Sequence, residues 1–241
     1  MTQLGFLGTG HITSAMVTGL ASSDDDRIRL SPRNAEVAAD LARRFPRVSV
    51  GASNQDVLDT SDVIILALPP KPAPGILADL RFRTDHQIIS VISGFPMKDL
   101  AAVVAPATGI TRAVPLPSTA ERAGPTAIYP STPMVAALFA RMGTAIPVER
   151  EDEFEAFCTV TGAIASHLAF VETVALWLTR HGIPEATART YVATMLRGAA
   201  NAEEHATPGG INEQLLQYLT RQGVFERLSE GLDAILRRNA C

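Results

Sequence analysis

Cysteine is scarce in this sequence, and the patterns that mark metal or hydrolytic sites are missing. Among 241 residues there are two cysteines, Cys158 and Cys241, and their spacing matches no metal motif. No HExxH, CxxC or GxSxG pattern occurs, and no acidic residues cluster at metal-ligand spacing. Metal-dependent and hydrolytic functions therefore have no support. We expect Cys158, in an apolar helical stretch, to be buried, and the terminal Cys241 to be frayed.

Positive charge and long apolar runs are also scarce. The formal net charge is -4, which gives no electrostatic reason to expect nucleic acid or an anionic membrane as a partner. The chain begins with a strand-like run instead of a basic, then apolar, secretory leader. We also expect no apolar run that approaches bilayer-spanning length. These features predict a cytoplasmic protein.

The most informative stretch that is present lies at the N-terminus, where MTQLGFLGTGHITSAMVTGL is typical of a strand, a glycine turn and a helix. Gly8 permits the tight turn, Gly10 lets a pyrophosphate approach the backbone, and Thr13 stands where a third glycine often sits. The helix that opens there points N–H groups and its positive dipole end at the phosphates. We assign cofactor binding to Gly8, Thr9, Gly10, His11 and Ile12. The alternative is a purely structural turn.

Short apolar runs alternate with helical segments as far as about residue 150. The continuous run at 62–68 (DVIILAL) is typical of a parallel strand buried on both faces. The alternation predicts an α/β fold: a Rossmann domain with a doubly wound parallel sheet over 1–150, then an all-α domain over 151–241. We further expect a solvated turn at 24–26 and unbroken helices over 153–180 and 184–206.

The C-terminal helices predict a second copy of the chain. Long apolar helices in a segment of about 90 residues are hard to bury within a lone small domain. We therefore expect a homodimer that forms through these helices.

The end of the second predicted strand indicates the cofactor. An acidic residue at this point would bind the ribose 2′-hydroxyl of NAD, but no acid follows before Glu36. Ser31, Arg33 and Asn34 stand there instead, and a guanidinium offers forked donors suited to phosphate. These three residues predict NADP(H). Alternatively, Arg33 is a solvated loop charge.

Several motifs together resemble those of the pyrroline-5-carboxylate reductase family. The similarity runs from GFLGTGHITSAMVTGL through SPRN at 31–34, LPPKP at 68–72 and TRAVP at 111–115 to TPGG at 207–210. It implies a Rossmann domain and an interlocking helical dimer domain. It also implies NADPH-dependent reduction of a cyclic imine, 1-pyrroline-5-carboxylate to proline or a related compound. By the same resemblance, Leu68, Pro69 and Lys71 join the cofactor set.

The substrate half departs from the family pattern. Leu116 stands where the family usually has asparagine, and Ile211 and Asn212 replace threonines that meet the substrate. Backbone N–H groups at Gly209, Gly210 and Ile211 lead into a helix, where they could receive a substrate carboxylate. By resemblance, Asn212 would form a hydrogen bond near the imine nitrogen. The alternative is a plain turn between helices.

Other polar residues have two interpretations each. Lys71 either meets the ligand or is solvated, and His205 lies near the TPGG turn, where it could approach substrate. His167 on an apolar helix is more often packed than catalytic, and Glu172 is more often solvated. Two further functions remain open: a related oxidoreductase that uses deazaflavin or another substrate, and a non-catalytic NADP-binding dimer.

Overall fold

An eight-stranded sheet organises the first part of the chain in the computed structural model, which describes residues 2–21, 26–199 and 208–239. The strands are β1 Thr2–Leu7, β2 Asp26–Leu30, β3 Val48–Val50, β4 Val63–Leu66, β5 Gln87–Ser90, β6 Gly109–Val114, β7 Pro125–Tyr129 and β8 Thr144–Pro147. Their order across the sheet is β3-β2-β1-β4-β5-β6-β7-β8.

Helices lie between these strands and make up most of the described residues after the sheet. With the sheet lie α1 His11–Leu20, α2 Ala35–Arg44, α3 Asn54–Asp59, α4 Ala73–Ala78, α5 Met97–Val103, α6 Pro133–Ala140 and a 3-10 helix at Pro117–Glu121. After the sheet come α7 Glu151–Val160, α8 Ala163–Arg180, α9 Glu185–Gly198, α10 Ile211–Arg221 and α11 Val224–Asn239.

Strands β1 to β6 are parallel, which confirms the predicted doubly wound sheet with helices after it. β7 runs antiparallel to β6, and β8 runs parallel to β7. β4 is buried on both faces: Ile65 packs in the cluster that includes α1 and α2, and Ile64 packs in the cluster that includes α4 and α5. Successive strand residues point to opposite faces, so one short apolar strand supplies both cores.

The expected solvated turn at 24–26 is wrong for Asp26. This residue opens β2, is 8% exposed, and its carboxylate accepts a hydrogen bond from the Arg141 guanidinium at the end of α6. A buried carboxylate requires such a partner, and the partner is 115 positions away in the sequence. Asp24 and Asp25 lie outside the described residues.

A buried arginine holds α7 against the sheet. Arg112 in β6 is 1% exposed, and its Nη1 donates to Oε1 of Glu151 at 2.7 Å and to Oε1 of Glu155 at 2.6 Å. Its guanidinium also lies 4.7 Å from the centre of the Phe154 ring. The contacts divide the chain into the units Met1–Cys158 and Thr159–Cys241, so most of α7 belongs to the first unit. The predicted start of the second domain was residue 151.

Cys158 is half-buried at the end of this cluster. Burial raises the pKa of its thiol to about 12, and the negative charge of Glu155 acts in the same direction. At neutral pH the side chain is therefore a protonated thiol with little nucleophilic character. Cys241 lies outside the described residues.

The second unit departs from the predicted helix lengths. The expected helix over 153–180 is interrupted at residues 161–162, where Ile164 N–H donates to Thr161 O in a tight turn. α9 ends at Gly198, and the expected continuation through 200–206 lies outside the described residues. Glu172, expected to be solvated, forms an exposed ion pair with the Arg189 guanidinium through both carboxylate oxygens and so links α8 to α9.

The single chain leaves many large apolar side chains of this unit exposed. They include Leu168, Trp177, Tyr191, Ile211, Leu215 and Tyr218. By length and composition the helical stretch Glu151–Arg180 is apolar enough to cross a membrane, with 11% of its apolar window buried. The expectation that no run approaches this length is therefore wrong by that criterion. A single such helix is weak evidence for a membrane span, because soluble proteins also contain helices of this kind.

A buried histidine couples the stability of the first unit to pH. His86 is 1% exposed; its Nδ1 accepts from Arg83 N–H at 3.1 Å, and its Nε2 lies 3.1 Å from Leu58 O. This pairing requires the neutral ring with hydrogen on Nε2. Burial, and then the positive charge of Arg83, lower the pKa of His86 below its ordinary 6.5.

We predict that this histidine contributes to acid sensitivity. Because the folded-state pKa is lowered, the stability supplied by the neutral ring is present above pH 6.5 and is lost as the pH falls through the folded-state pKa. The urea midpoint should therefore fall between about pH 7.5 and about pH 5, and His86→Gln should reduce that fall. His167→Gln, at an exposed position, is the control. Equal pH dependence in wild type and His86→Gln would contradict this role.

Candidate active site

A cleft of about 430 Å³ lies beyond the carboxyl ends of β1, β2, β4 and β5. It lies where the strand order reverses, between β1 and β4, which is the usual ligand position in an open α/β sheet. The cleft brings together many of the predicted cofactor residues. Those that line it are Gly8, Thr9, Gly10, Ile12, Arg33, Asn34, Leu68 and Pro69.

The turn after β1 depends on a position without a side chain. Gly8 has φ +98°, and a Cβ there would lie 2.3 Å from the carbonyl oxygen of Ala67. Its N–H donates to Ser31 Oγ at 2.9 Å, and Thr9 Oγ1 donates to Ser31 O at 2.8 Å. Ser31 is fully buried and supports the turn through these hydrogen bonds. It was predicted to bind the cofactor, but it does not line the cleft.

The second glycine leaves the cleft open. A Cβ at Gly10 would meet nothing within 4 Å, so the space above this backbone is available to a ligand. Gly10 precedes α1 without a side-chain cap, so the N–H groups of the first helical turn are left to bind a phosphate. His11 is exposed and does not line the cleft.

Thr13 has a structural role that was not predicted from the sequence. Its buried hydroxyl donates to Gly8 O at 2.7 Å and closes the turn from within the first helical turn. The signal was available in the sequence, because a hydroxyl at the third-glycine position can bond to the turn carbonyl. Ala35, Ala67 and Val91 also line the cleft and were not predicted. The latter two follow β4 and β5, where strand ends predict ligand contacts.

The rim beyond β2 carries the charge that would select a cofactor. Arg33 and Asn34 are both exposed, and Asn34 Oδ1 also accepts from Val37 N–H at 3.4 Å as the cap of α2. No carboxylate in the described ranges forms an ion pair with Arg33. Lys71 is exposed in the loop after β4 and is not part of the cleft lining.

The start of α10 differs from the predicted carboxylate site. Gly209 N–H donates to Glu213 Oε2 at 2.6 Å, and Gln214 Nε2 donates to Gly209 O at 3.0 Å. The N–H of Gly209 is therefore already bonded to a carboxylate of the chain itself, which corrects its assignment as a free donor. The sequence contained the signal, because a Glu in the first helical turn often bonds back to an N–H at the helix start.

The remaining predicted substrate residues lie beside it. Gly210 precedes α10 in an extended conformation, Ile211 is 83% exposed, and Asn212 is exposed in the first turn. Their roles stay predictions. Thr207 and His205 lie outside the described residues.

Comparison with known proteins finds the same similarity in both parts of the chain. Residues 3–94 match the family model described as NADP oxidoreductase coenzyme F420-dependent, and residues 151–240 match pyrroline-5-carboxylate reductase dimerisation. The pyrroline-5-carboxylate reductase of Pseudomonas aeruginosa is 21% identical over 262 aligned residues, which cover 99% of this chain and 96% of the relative. The chain is thus similar to pyrroline-5-carboxylate reductases along nearly its whole length.

Solved structures of pyrroline-5-carboxylate reductases share the fold. The enzyme of Streptococcus pyogenes has a TM-score of 0.83 at 24% identity, covering 99% of this chain and 98% of its own. The enzyme of Plasmodium falciparum, solved with NADP bound, has a TM-score of 0.83 at 17% identity, covering 99% and 97%. This likeness confirms the predicted architecture, a Rossmann domain followed by a helical dimerisation domain.

Two alanine substitutions should separate the structural glycine from the ligand-facing one. Gly10→Ala should leave stability within about 0.5 kcal/mol of wild type, because its Cβ meets nothing, yet weaken NADPH binding roughly ten-fold or more. Gly8→Ala should destabilise the fold by more than about 2 kcal/mol through its positive φ and the Ala67 clash. Urea unfolding and calorimetric titration measure these effects. Unchanged NADPH affinity in Gly10→Ala would refute the assignment of this cleft.

Proposed function

We propose that this chain is an NADPH-dependent reductase of a cyclic imine, which converts 1-pyrroline-5-carboxylate to proline or reduces a related imine. The observation that carries the proposal is the open backbone at Gly10, before the uncapped start of α1, in a cleft at the sheet's switch point. The similarity to pyrroline-5-carboxylate reductases connects that cleft to imine reduction.

The reaction makes few demands on side chains. The nitrogen of a C=N bond is basic enough to be protonated in water, and bound NADPH would supply the hydride to the imine carbon. The chain must hold the two reactants together and stabilise any substrate carboxylate. The turn at residues 8–10 would hold the pyrophosphate. We assign the carboxylate to the N–H groups of Gly210 and Ile211, and a hydrogen bond near the imine nitrogen to Asn212.

Arg33 is proposed to select NADP(H) over NAD(H). Its guanidinium lies on the cleft rim, and the sequence offers no acid there before Glu36 to bind a 2′-hydroxyl. The Plasmodium falciparum relative, solved with NADP bound, is consistent with this choice.

Removal of this guanidinium should affect the two coenzymes differently. Arg33→Ala should raise KM for NADPH roughly ten-fold, the value expected for a lost charge-assisted bond to phosphate, and leave KM for NADH nearly unchanged. Arg43→Ala, an exposed arginine on α2 paired with Asp40, removes the same charge away from the cleft. Equal effects on both coenzymes would contradict selection by Arg33.

We also propose a cytoplasmic homodimer formed through the C-terminal helices. The match of residues 151–240 to a dimerisation model supports it, as does the exposed apolar surface of the second unit. The same pairing would account for an apolar stretch of membrane-spanning length that a single chain leaves largely uncovered. Light scattering at twice the monomer mass is the expected result.

One observation favours a second enzymatic function. The family model matched by residues 3–94 is described as coenzyme F420-dependent, so a deazaflavin is the alternative hydride carrier. Reduced coenzyme F420 in place of NADPH therefore belongs in the same assay.

Oxidation of NADPH with a panel of cyclic imines tests the proposal. We expect turnover of at least one imine, and Asn212→Ala should lower kcat roughly ten-fold through the loss of one hydrogen bond to the reacting group. Gln217→Ala, exposed in the same helix, is the matched control. If NADPH binds but no imine is reduced, the chain is a non-catalytic NADP-binding protein. If Asn212→Ala turns over normally, its role is excluded.

A further inference from the structure

A polar groove of about 600 Å³ lies on the sheet away from the cofactor cleft. It is lined by Gln3, Arg27, Arg29, Pro46, Arg47, Ser49 and Thr60. The cofactor cleft shares none of these residues. Along β1, Gln3 precedes Gly8 by five positions, so the two sites lie about 16 Å apart at the rise of a strand.

The strand register brings the floor of this groove together. Gln3 is the β1 neighbour of Arg27, and Arg29 is the β2 neighbour of Ser49 in β3. Ile28 and Leu30 point into the core with α1 and α2, so the alternating Arg27 and Arg29 point to the opposite face of the sheet. The two guanidiniums are thereby placed on one face.

The charge of the groove is one-sided. Among the described residues that line it, three are arginines and none is acidic, although the whole chain carries a net charge of -4. Arg29 Nη2 binds Asp56 at 2.6 Å, while its Nε is buried and has no hydrogen-bond partner in the described part of the chain. Asp56 offsets the charge of Arg29, but arginine side chains gathered in one concave surface still favour an anion there.

We infer that this groove binds a small molecule that carries two phosphate groups or a pyrophosphate. Guanidinium forks match phosphate oxygens in pairs, and the amide of Gln3 adds a neutral donor at the same surface. The volume is within the usual range for small-molecule sites. The inference does not depend on the proposed reductase function, because it concerns separate residues.

Inorganic pyrophosphate is the probe, and the cofactor cleft must be blocked because it also suits pyrophosphate. Titration calorimetry on the full chain carrying Gly10→Ala should retain one pyrophosphate site. Adding Arg27→Gln and Arg47→Gln should weaken that site at least about ten-fold, as expected for two lost charge-assisted contacts. Arg43→Gln with Arg44→Gln removes the same charge from α2, outside the groove, and should change the affinity less than about two-fold.

Two further measurements make the outcome decisive. Arg27→Lys with Arg47→Lys keeps the charge but loses the forks, so it should give intermediate affinity with an unchanged urea midpoint. NADPH titration of the Arg27→Gln, Arg47→Gln chain should match wild type. Loss of all pyrophosphate binding in Gly10→Ala, or equal loss in the groove and control pairs, would overturn the inference and leave the arginines as surface charges on one face of the sheet.

Discussion

The absence of a side chain at Gly8 is the constraint on which the proposed cofactor site depends. The backbone at Gly8 passes so close to Ala67 that there is no room for a Cβ atom between the ends of β1 and β4. Its N–H is held by Ser31 from the end of β2, and its carbonyl is held by Thr13 from α1. One turn therefore fixes two neighbouring strands and a helix start relative to one another. The opening over Gly10 is a consequence of that fixed geometry.

The second unit buries fewer of its large apolar side chains than the first. Its helices carry too much apolar surface for one chain to cover, and the Glu172–Arg189 pair is an exposed ion pair that adds little stability by itself. The Rossmann unit has two dense cores, whereas the helical unit leaves many of its large apolar side chains exposed in the single chain. The proposed homodimer would bury this surface.

Local patterns allowed most of the parallel sheet to be predicted. Apolar runs and glycine turns depend on neighbours within a few residues. What the sequence did not predict depends on distant partners. Asp26 is buried because Arg141 reaches it, and the antiparallel pairing of β7 with β6 is a relation between two strands that neither one's own sequence specifies. At the site, the cleft-lining glycines were predictable, while the buried position of Ser31 required the three-dimensional fold.

The ion pairs of Arg112 with Glu151 and Glu155 restrict where this chain can be joined to a homologue in a chimaera. Its two glutamates come from α7, whose residues fall within the C-terminal family match, yet they neutralise a guanidinium inside the Rossmann sheet. A chimaera joined before Glu151 would pair this sheet with a foreign helix and leave a cation stranded in its interior. The boundary between the two units lies after Cys158, so a chimaera joined there keeps both glutamates with Arg112 and leaves the buried cation neutralised.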